Sequence, residues 1–314
     1  MNKIKLLSKL VLIISITLLV GLKFCCPKDD DNILGLNTLE NKTFIQDSLP
    51  YTIKVNRDIV VEHYFEFMDS LVEKYDFHTP YNLTEHLLVR TNYWILDKLQ
   101  NTDYYIMKAL DSFVYNQKEI IVLPKNSFIK IPDSISASKL INSFKNTLID
   151  VNIPEFKLRI YEDSVRLYEF LIRVGRHEKK YLKMSGRVED LRTKTGTGII
   201  VNFVKNPRYV NPVNNHQYLV TRRDDKKVTK LPKIPFLETK INGVKNGQLI
   251  HPTTNPITLG KAYSNGCIGT READAWVIYY YAPIDTKIKI RYDLMVINEN
   301  GETKVLEDIY RYAK

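Results

Sequence analysis

Cysteine is scarce in this chain. The 314 residues include three, of which Cys25 and Cys26 are adjacent near the start and Cys267 stands alone. Glycine and proline are also sparse, with 12 and 13 residues, which excludes a collagen-like or low-complexity chain. What is present, 44% hydrophobic and 26% charged residues, is typical of globular proteins, and the length suffices for about two domains.

A hydrophobic run long enough to cross a bilayer is also missing. The uncharged run from Leu10 to Leu22 follows three lysines and ends before Lys23, and it is shorter than the roughly 20 residues that a spanning helix needs. This pattern predicts that residues 1–26 are a signal peptide or a short membrane anchor, and that the protein is exported to the periplasm or cell envelope. Lipid attachment at Cys25/Cys26 stays an alternative, although Phe24 is large for the position before a lipidated cysteine.

Composition and periodicity divide the rest of the chain into three parts. Residues 27–48 are polar and turn-rich, which predicts a linker. Residues 49–150 form a predicted N-terminal domain of unknown role. Apolar residues at helical spacing predict helices over 59–71 and 87–99, residues 119–133 predict a strand, a turn and a strand, and residues 138–150 predict a helix. Residues 81–133 vaguely resemble a LysM peptidoglycan-binding module, and a small α+β packing domain without a ligand is the alternative.

Residues 151–314 form the second predicted domain. Apolar residues alternate with polar ones at 156–160, 165–167 and 288–292, which predicts strands. Residues 271–282 predict one helix, with Thr270 as its N-cap and Pro283 beyond its end.

Charge is distributed unevenly between the halves. Residues 1–150 hold 17 basic and 18 acidic side chains, whereas residues 151–314 hold 29 and 18, a net charge of +11. The second half therefore suits an anionic partner. We expect no nucleic acid, because no zinc-finger, helix-turn-helix or ribonucleoprotein motif is present. Membrane contact is expected through the N-terminal segment only.

The stretch from 247 to 276 carries a thiol, a base and a tight turn. If the first two cysteines belong to the leader, Cys267 has no disulfide partner in the exported body. A nucleophilic cysteine needs an imidazole, which His251 offers, and backbone N–H groups for the developing oxyanion, which a turn at Gly266 can present. Because Cys267 precedes a predicted helix N-terminus, we expect a depressed thiol pKa.

These residues resemble the L,D-transpeptidases of bacterial cell walls, the YkuD family. The family pattern has a histidine, a threonine two places on, Asn-x-Pro or a similar sequence, an aliphatic-glycine pair, and a serine or threonine followed by x-Gly-Cys. The chain matches it over residues 154–292 with His251, Thr253, Pro256, Leu259-Gly260, Ser264, Gly266 and Cys267. The resemblance implies an α+β protein, in which a mostly β, sandwich-like catalytic domain with a C-terminal strand extension follows a small, mainly helical or α+β N-terminal domain.

The resemblance also implies the roles of the site residues. Cys267 is the nucleophile, His251 the general acid and base, and the Pro252 backbone carbonyl orients the imidazole. The backbone N–H groups of Gly266 and Cys267 are the oxyanion donors. Neither a cofactor nor a metal is expected. The residues proposed to contact substrate are Tyr263, Ser264, Asn265, Arg271, Arg222 and Arg223.

Three positions depart from the family pattern. Pro252 stands where glycine is usual, Asn265 where histidine is usual, and Gly269 where an arginine commonly contacts substrate. Arg271, two residues further on, is the replacement that we expect for that arginine, and an exposed Arg271 paired with Asp274 is the alternative.

The function that follows is a peptidoglycan L,D-transpeptidase, which cross-links stem peptides through a cysteinyl thioester. An L,D-carboxypeptidase or endopeptidase that trims stems would use the same residues with water as the acceptor. A third possibility is an inactive peptidoglycan-binding envelope protein. The sequence leaves these alternatives open.

Overall fold

The computed structural model describes residues 52–298 and 300–312. In these ranges most helices lie before residue 146 and most strands lie after it. The helices are α1 (Tyr64–Tyr75), α2 (Glu85–Thr91), α3 (Tyr93–Gln100), α4 (Tyr104–Ala109), α5 (Ser134–Lys145) and α6 (Glu272–Tyr281), with 3-10 turns at Val61–His63, Asp76–His78, Gln117–Glu119 and Pro256–Thr258. The strands are β1 (Thr52–Lys54), β2 (Ile59–Val60), β3 (Ile121–Leu123), β4 (Phe128–Lys130), β5 (Thr147–Asn152), β6 (Lys157–Glu162), β7 (Val165–Leu171), β8 (Val174–Gly175), β9 (Lys179–Leu182), β10 (Arg187–Asp190), β11 (Gly196–Val204), β12 (Val220–Arg222), β13 (Val228–Lys230), β14 (Phe236–Ile241), β15 (Leu249–Pro252), β16 (Ala262–Ser264), β17 (Ile268–Thr270), β18 (Lys287–Arg291), β19 (Met295–Ile297) and β20 (Thr303–Val305).

Eight of these strands form one sheet, in the order β17-β15-β14-β11-β18-β5-β6-β7. The pairs β15–β17 and β18–β5 are parallel, and the other neighbours are antiparallel. The predicted α+β fold with a mostly β catalytic part is confirmed. The alternating segments predicted as strands are β6, β7 and β18, and the C-terminal extension contains the β19–β20 hairpin.

Helix α6 lies in the core and is apolar on almost every side. Its residues from Ala273 to Tyr281 are buried except for the half-buried Asp274, in accord with the strong helix signal of the sequence. The predicted N-cap was wrong by one residue: Arg271 is the N-cap, and Thr270 is buried at the end of β17. Parallel pairing of Thr270 with Pro252 extends the strand through Thr270 and delays the helix.

The predicted helix over 87–99 is interrupted at Asn92. Its side-chain amide donates to the carbonyl oxygens of Leu88 at 2.8 Å and Lys130 at 2.7 Å, and its amide oxygen accepts from the Lys130 N–H at 2.8 Å. Asn92 therefore pairs with the backbone of β4, and α2 and α3 meet at this residue. The predicted helix over 59–71 begins at Tyr64, because Ile59 and Val60 form β2 instead.

The helix predicted over 138–150 is corrected in its second half. Helix α5 ends at Lys145, and β5 begins at Thr147. The residues of β5 pair with β18 on one side and β6 on the other, so sheet pairing overrides the helical spacing. The strand, turn and strand expected over 119–133 include β3 and β4, which pair with β2 and β1 and not with each other.

The N-terminal helices and the sheet share one hydrophobic core around α6. The Tyr64 and Tyr280 hydroxyl oxygens lie 2.7 Å apart, and the His86 ring donates from Nε2 to the Tyr279 carbonyl oxygen at 3.0 Å. The predicted domain boundary between residues 150 and 151 lies within β5. None of the helices in the described residues has the length and apolar character needed to cross a bilayer. The predicted leader, with Cys25 and Cys26, and the linker lie outside the described residues.

Candidate active site

Two neighbouring parallel strands bring His251 and Cys267 to one face of the sheet. His251, on β15, is the register partner of Gly269 on β17. Register partners on paired strands direct their side chains to the same face, as do residues two apart along one strand. Cys267 directly precedes β17, two residues before Gly269, and the charge of Arg173 acts on both its thiol and the His251 imidazole, so the two groups belong to one site.

The His251 ring has a defined tautomer. Its Nδ1 lies 2.9 Å from the Pro252 carbonyl oxygen, which can only accept, so Nδ1–H donates and Nε2 keeps its lone pair. The Phe236 ring packs on the imidazole with ring centroids 5.0 Å apart. Burial, followed by the charge of Arg173, lowers the pKa of His251 to about 4. His251 is therefore neutral at neutral pH and can accept a proton.

A tight turn from Ser264 to Cys267 presents the nucleophile. Gly266 has φ +114°, which side-chain-bearing residues rarely adopt. The Ser264 hydroxyl donates to the Cys267 carbonyl oxygen at 2.6 Å and accepts from the Gly266 N–H at 3.2 Å. The Gly266 N–H is thus engaged within the turn, and the predicted roles of the Gly266 and Cys267 N–H groups as oxyanion donors stay predictions. Thr193 steadies the turn by donating to the Gly266 carbonyl oxygen at 3.0 Å.

The thiol of Cys267 is not the low-pKa group that the sequence predicts. Burial raises its pKa, while the Leu249 N–H and the charge of Arg173 oppose that effect. The expected helix-terminus effect fails because β17 separates Cys267 from the start of α6 at Glu272. The resting site therefore holds a neutral thiol beside a neutral imidazole.

The other residues predicted on the turn have different surroundings. Tyr263 is 58% exposed beside the turn and is accessible to a substrate. Ser264 is buried and occupied by its two turn hydrogen bonds, so its predicted substrate contact is corrected to a role in shaping the turn. The side chain of Asn265 accepts from Arg176 Nη2 at 2.5 Å.

Arg223 is a buried structural residue, which corrects its predicted substrate contact. Its side chain is 0% exposed and donates from Nη1 to Glu272 at 2.5 Å, from Nη2 to Gln117 at 2.6 Å and from Nε to Thr229 at 2.8 Å. These bonds join the start of α6 to the N-terminal part of the chain. The preceding residue, Arg222, is exposed.

Arg271 is exposed at the start of α6. Burial raises the pKa of Asp274 to about 6, and the charge of Arg271 opposes this rise. The exposed position of Arg271 is compatible with both predicted roles, substrate contact and pairing with Asp274.

Arg173 was missed by the sequence analysis. Its backbone N–H donates to the Gly269 carbonyl oxygen at 2.9 Å, and the Gly269 N–H donates back at 3.0 Å. A Cβ added to Gly269 would lie 2.5 Å from Arg173 Nε and 2.6 Å from its Cγ. The feature of the sequence that could have pointed to Arg173 is Gly269, since a glycine stands where the family pattern commonly has an arginine.

In the described part of the chain, no cluster of three or more His, Cys, Asp or Glu could hold a metal ion.

The second part of the chain is similar to a known family. The family model of the YkuD L,D-transpeptidase catalytic domain matches residues 146–290. An L,D-transpeptidase from Mycobacterium smegmatis is 15% identical with a TM-score of 0.32, covering 46% of this chain and 58% of its own. L,D-transpeptidase 3 from Mycobacterium tuberculosis, with a faropenem-derived adduct, is 14% identical with a TM-score of 0.31, covering 46% and 60%.

A third solved structure is an L,D-transpeptidase fragment from Xylanimonas cellulosilytica, which is 13% identical with a TM-score of 0.34, covering 78% of this chain and 100% of its own. The chain thus spans less than two thirds of the two mycobacterial structures. None of the curated proteins matches it. Residues 146–290 are thus similar to the YkuD L,D-transpeptidase catalytic domain.

Proposed function

We propose that the protein is an exported L,D-transpeptidase that forms amide cross-links between peptidoglycan stem peptides through a thioester at Cys267. The observation that carries the proposal is that a neutral His251, oriented by Pro252, lies on the strand paired in parallel with β17, which Cys267 directly precedes, and that the charge of Arg173 acts on both groups. This is the arrangement that cysteine acyl transfer requires, with a nucleophile, a base and a group that orients the base.

The first half-reaction is acylation. The Cys267 thiol gives its proton to His251 Nε2, and the sulfur attacks the carbonyl carbon of an L-to-D amide in a donor stem. The oxyanion forms within reach of the Cys267 N–H. The C–N bond then breaks, the imidazolium gives its proton to the leaving D-amino acid amine, and a thioester remains.

The second half-reaction determines the product. An amine on a neighbouring stem loses a proton to His251 and attacks the thioester carbonyl. The C–S bond breaks, a new amide forms, and the proton returns to the sulfur. If water is the acceptor instead, the same site trims stems as a carboxypeptidase or endopeptidase.

Two sequence features support this substrate and location. Residues 151–314 carry a net charge of +11, which suits stems that bear several carboxylates. The lysines and the uncharged run in residues 1–26 support export to the cell envelope, with membrane contact through that segment.

The test uses the purified full-length protein with a disaccharide-tetrapeptide donor and acceptor, and mass spectrometry of the products. We expect a cross-linked dimer and a released D-amino acid from the wild type, and neither from Cys267→Ala. Release of the D-amino acid without a dimer would replace transpeptidation by hydrolysis. A wild type that forms no product and gains no adduct mass from a carbapenem would be an inactive envelope protein.

A further inference from the structure

Arg173, Gly269 and His251 lie side by side across three adjacent chain segments. Gly269 is bonded through its backbone to Arg173 on one side and is the register partner of His251 on the other. The Arg173 side chain passes over Gly269, since a Cβ there would lie 2.5 Å from Nε. The aliphatic part of the Arg173 side chain therefore occupies the space that a side chain at position 269 would fill, on the face of the strands that carries the His251 imidazole.

The Arg173 guanidinium has no carboxylate partner in residues 52–298 and 300–312. Its Nη1 donates to Thr258 Oγ1 at 3.3 Å, and its buried Nε has no hydrogen-bond partner. Burial lowers the pKa of Arg173, and the groups whose negative forms oppose that change are Cys267 and Tyr263. An uncompensated cation in a buried site is costly unless an anion forms beside it.

The remaining ionisable groups around the thiol do not supply that anion. His251 can only add positive charge. Arg176, which bonds to Asn265, lies 3.6 Å from Glu178 through its Nε. Tyr263 is exposed to solvent. Among the side chains of residues 52–298 and 300–312, the Cys267 thiolate is thus the anion that can form near Arg173 during catalysis.

We propose that Arg173 is a third functional side chain of this site, and that its guanidinium stabilises the Cys267 thiolate across Gly269. The inference deepens the proposed function, since it rests on Cys267 as the nucleophile. The charge of Arg173 lowers the pKa of the Cys267 thiol and also that of His251. The first effect favours the attacking thiolate, and the second makes the imidazolium a stronger acid towards the leaving amine.

The test measures the pH dependence of Cys267 alkylation by iodoacetamide in the full-length protein. Trypsin releases residues 262–271 as a peptide whose one cysteine is Cys267, so Cys25 and Cys26 do not interfere. We expect Arg173→Gln to raise the pH midpoint by about one unit or more, which is the usual effect of removing a nearby opposite charge. Arg173→Lys keeps the charge and should stay close to the wild type. Arg176→Gln, the control for loss of a neighbouring cation, should leave the midpoint unchanged.

An unchanged midpoint in Arg173→Gln, or an equal rise in Arg176→Gln, would overturn the proposal. Unfolding would expose the thiol and move the midpoint down towards the ordinary value of about 8.5, opposite to the expected direction. If Arg173→Gln fails to fold, Gly269→Ala tests the proposal instead. The atoms nearest to the added methyl group belong to the flexible Arg173 side chain, so the substitution should displace that side chain and also raise the midpoint. No rise there would overturn the proposal.

Alkylation does not depend on cross-linking, so the two proposals fail separately. A wild type that cross-links, with an unchanged midpoint in Arg173→Gln, would remove Arg173 and leave the proposed function. A raised midpoint in Arg173→Gln, together with a wild type that forms no cross-links, would keep the role of Arg173 and remove the proposed function.

Discussion

The phenolic oxygen of Tyr310 accepts a hydrogen bond from the backbone N–H of Thr193 at 3.1 Å, although 117 residues separate them. Tyr310 also donates to the Gly175 carbonyl oxygen at 2.7 Å. Thr193 in turn donates from its hydroxyl to Gly266, the residue before the nucleophile. The C-terminal segment therefore supports the turn that presents Cys267.

Removal of the Tyr310 hydroxyl should weaken both the fold and the site. Tyr310→Phe leaves two buried backbone groups without a partner, which we expect to lower the free energy of unfolding by about 1–3 kcal/mol. Carbapenem acylation of Cys267 should slow several-fold. Urea denaturation and intact-mass kinetics measure these effects. Tyr312→Phe, at a half-exposed tyrosine nearby, is the control, and equal losses in both variants would contradict the prediction.

His251 should be required as a neutral base. His251→Ala is expected to lower the acylation rate by about 10²-fold or more, the usual contribution of positioned acid-base catalysis. Because the pKa of His251 is lowered to about 4, the wild-type rate should be lost only as pH falls towards 4. Stopped-flow acylation across pH measures this, with exposed His78→Ala as the control. An acidic limb near pH 6.5 would contradict the half-buried, neutral imidazole.

The sequence predicted the sheet and α6 well, because period-two alternation and a dense apolar helix are local signals. It failed where distant strands compete for the same residues. Leu148 to Val151 have helical spacing with the residues before them, yet β18 and β6 flank them and impose a strand. Thr270 is likewise of a residue type that is common at helix N-caps, but its pairing with Pro252 keeps it in β17.

In the site, too, residues close together in sequence were easier to predict than residues that only the fold brings together. The tight turn at Gly266 was predicted from the sequence, and Cys267 and His251 were predicted as a pair because they lie in one segment of the chain. Arg222 and Arg223 are indistinguishable in sequence, although one is exposed and the other is fully buried against Glu272. Arg173 lies far from Cys267 along the chain, so only the tertiary fold shows that it passes over Gly269.

Arg223 should matter for stability and not for substrate affinity. Arg223→Met leaves Glu272 buried without its charge partner, for which we expect a loss of about 3–5 kcal/mol in the free energy of unfolding. Arg222→Ala is the matched control and should change stability by less than about 0.5 kcal/mol, as exposed substitutions do. Denaturant midpoints measure both. A stability loss below about 1 kcal/mol in Arg223→Met, with a raised donor KM, would restore Arg223 as a substrate contact.

Buried His86 should make the fold sensitive to acid. Burial lowers its pKa to about 3, whereas the unfolded chain takes up that proton near the ordinary value of 6.5. Between these values the unfolded state binds one more proton, so stability falls as pH falls.

The pH dependence can be measured by difference. The wild type should lose about 2 kcal/mol more than His86→Phe between pH 6.5 and 4.5, which follows from about 1.4 kcal/mol per pH unit for one group. His63→Gln, at an exposed histidine, is the control for the loss of a histidine from the surface. Equal slopes in the wild type and His86→Phe would show that His86 is not held neutral by the fold.

Arg271 is the exposed cation expected to hold a carboxylate of the donor stem. As the N-cap of α6 it lies at a helix end where the dipole disfavours positive charge, and Asp274 in the first turn offsets this only in part. Arg271→Ala should therefore lower kcat/KM by a factor that corresponds to about 1.5–3 kcal/mol. The same donor with its carboxylate amidated provides the control, since the variant and the wild type should then react at similar rates. Equal kcat/KM values on the acidic donor, with unchanged thermal stability, would mean that Arg271 is a solvated neighbour of Asp274 and that the donor carboxylate binds elsewhere.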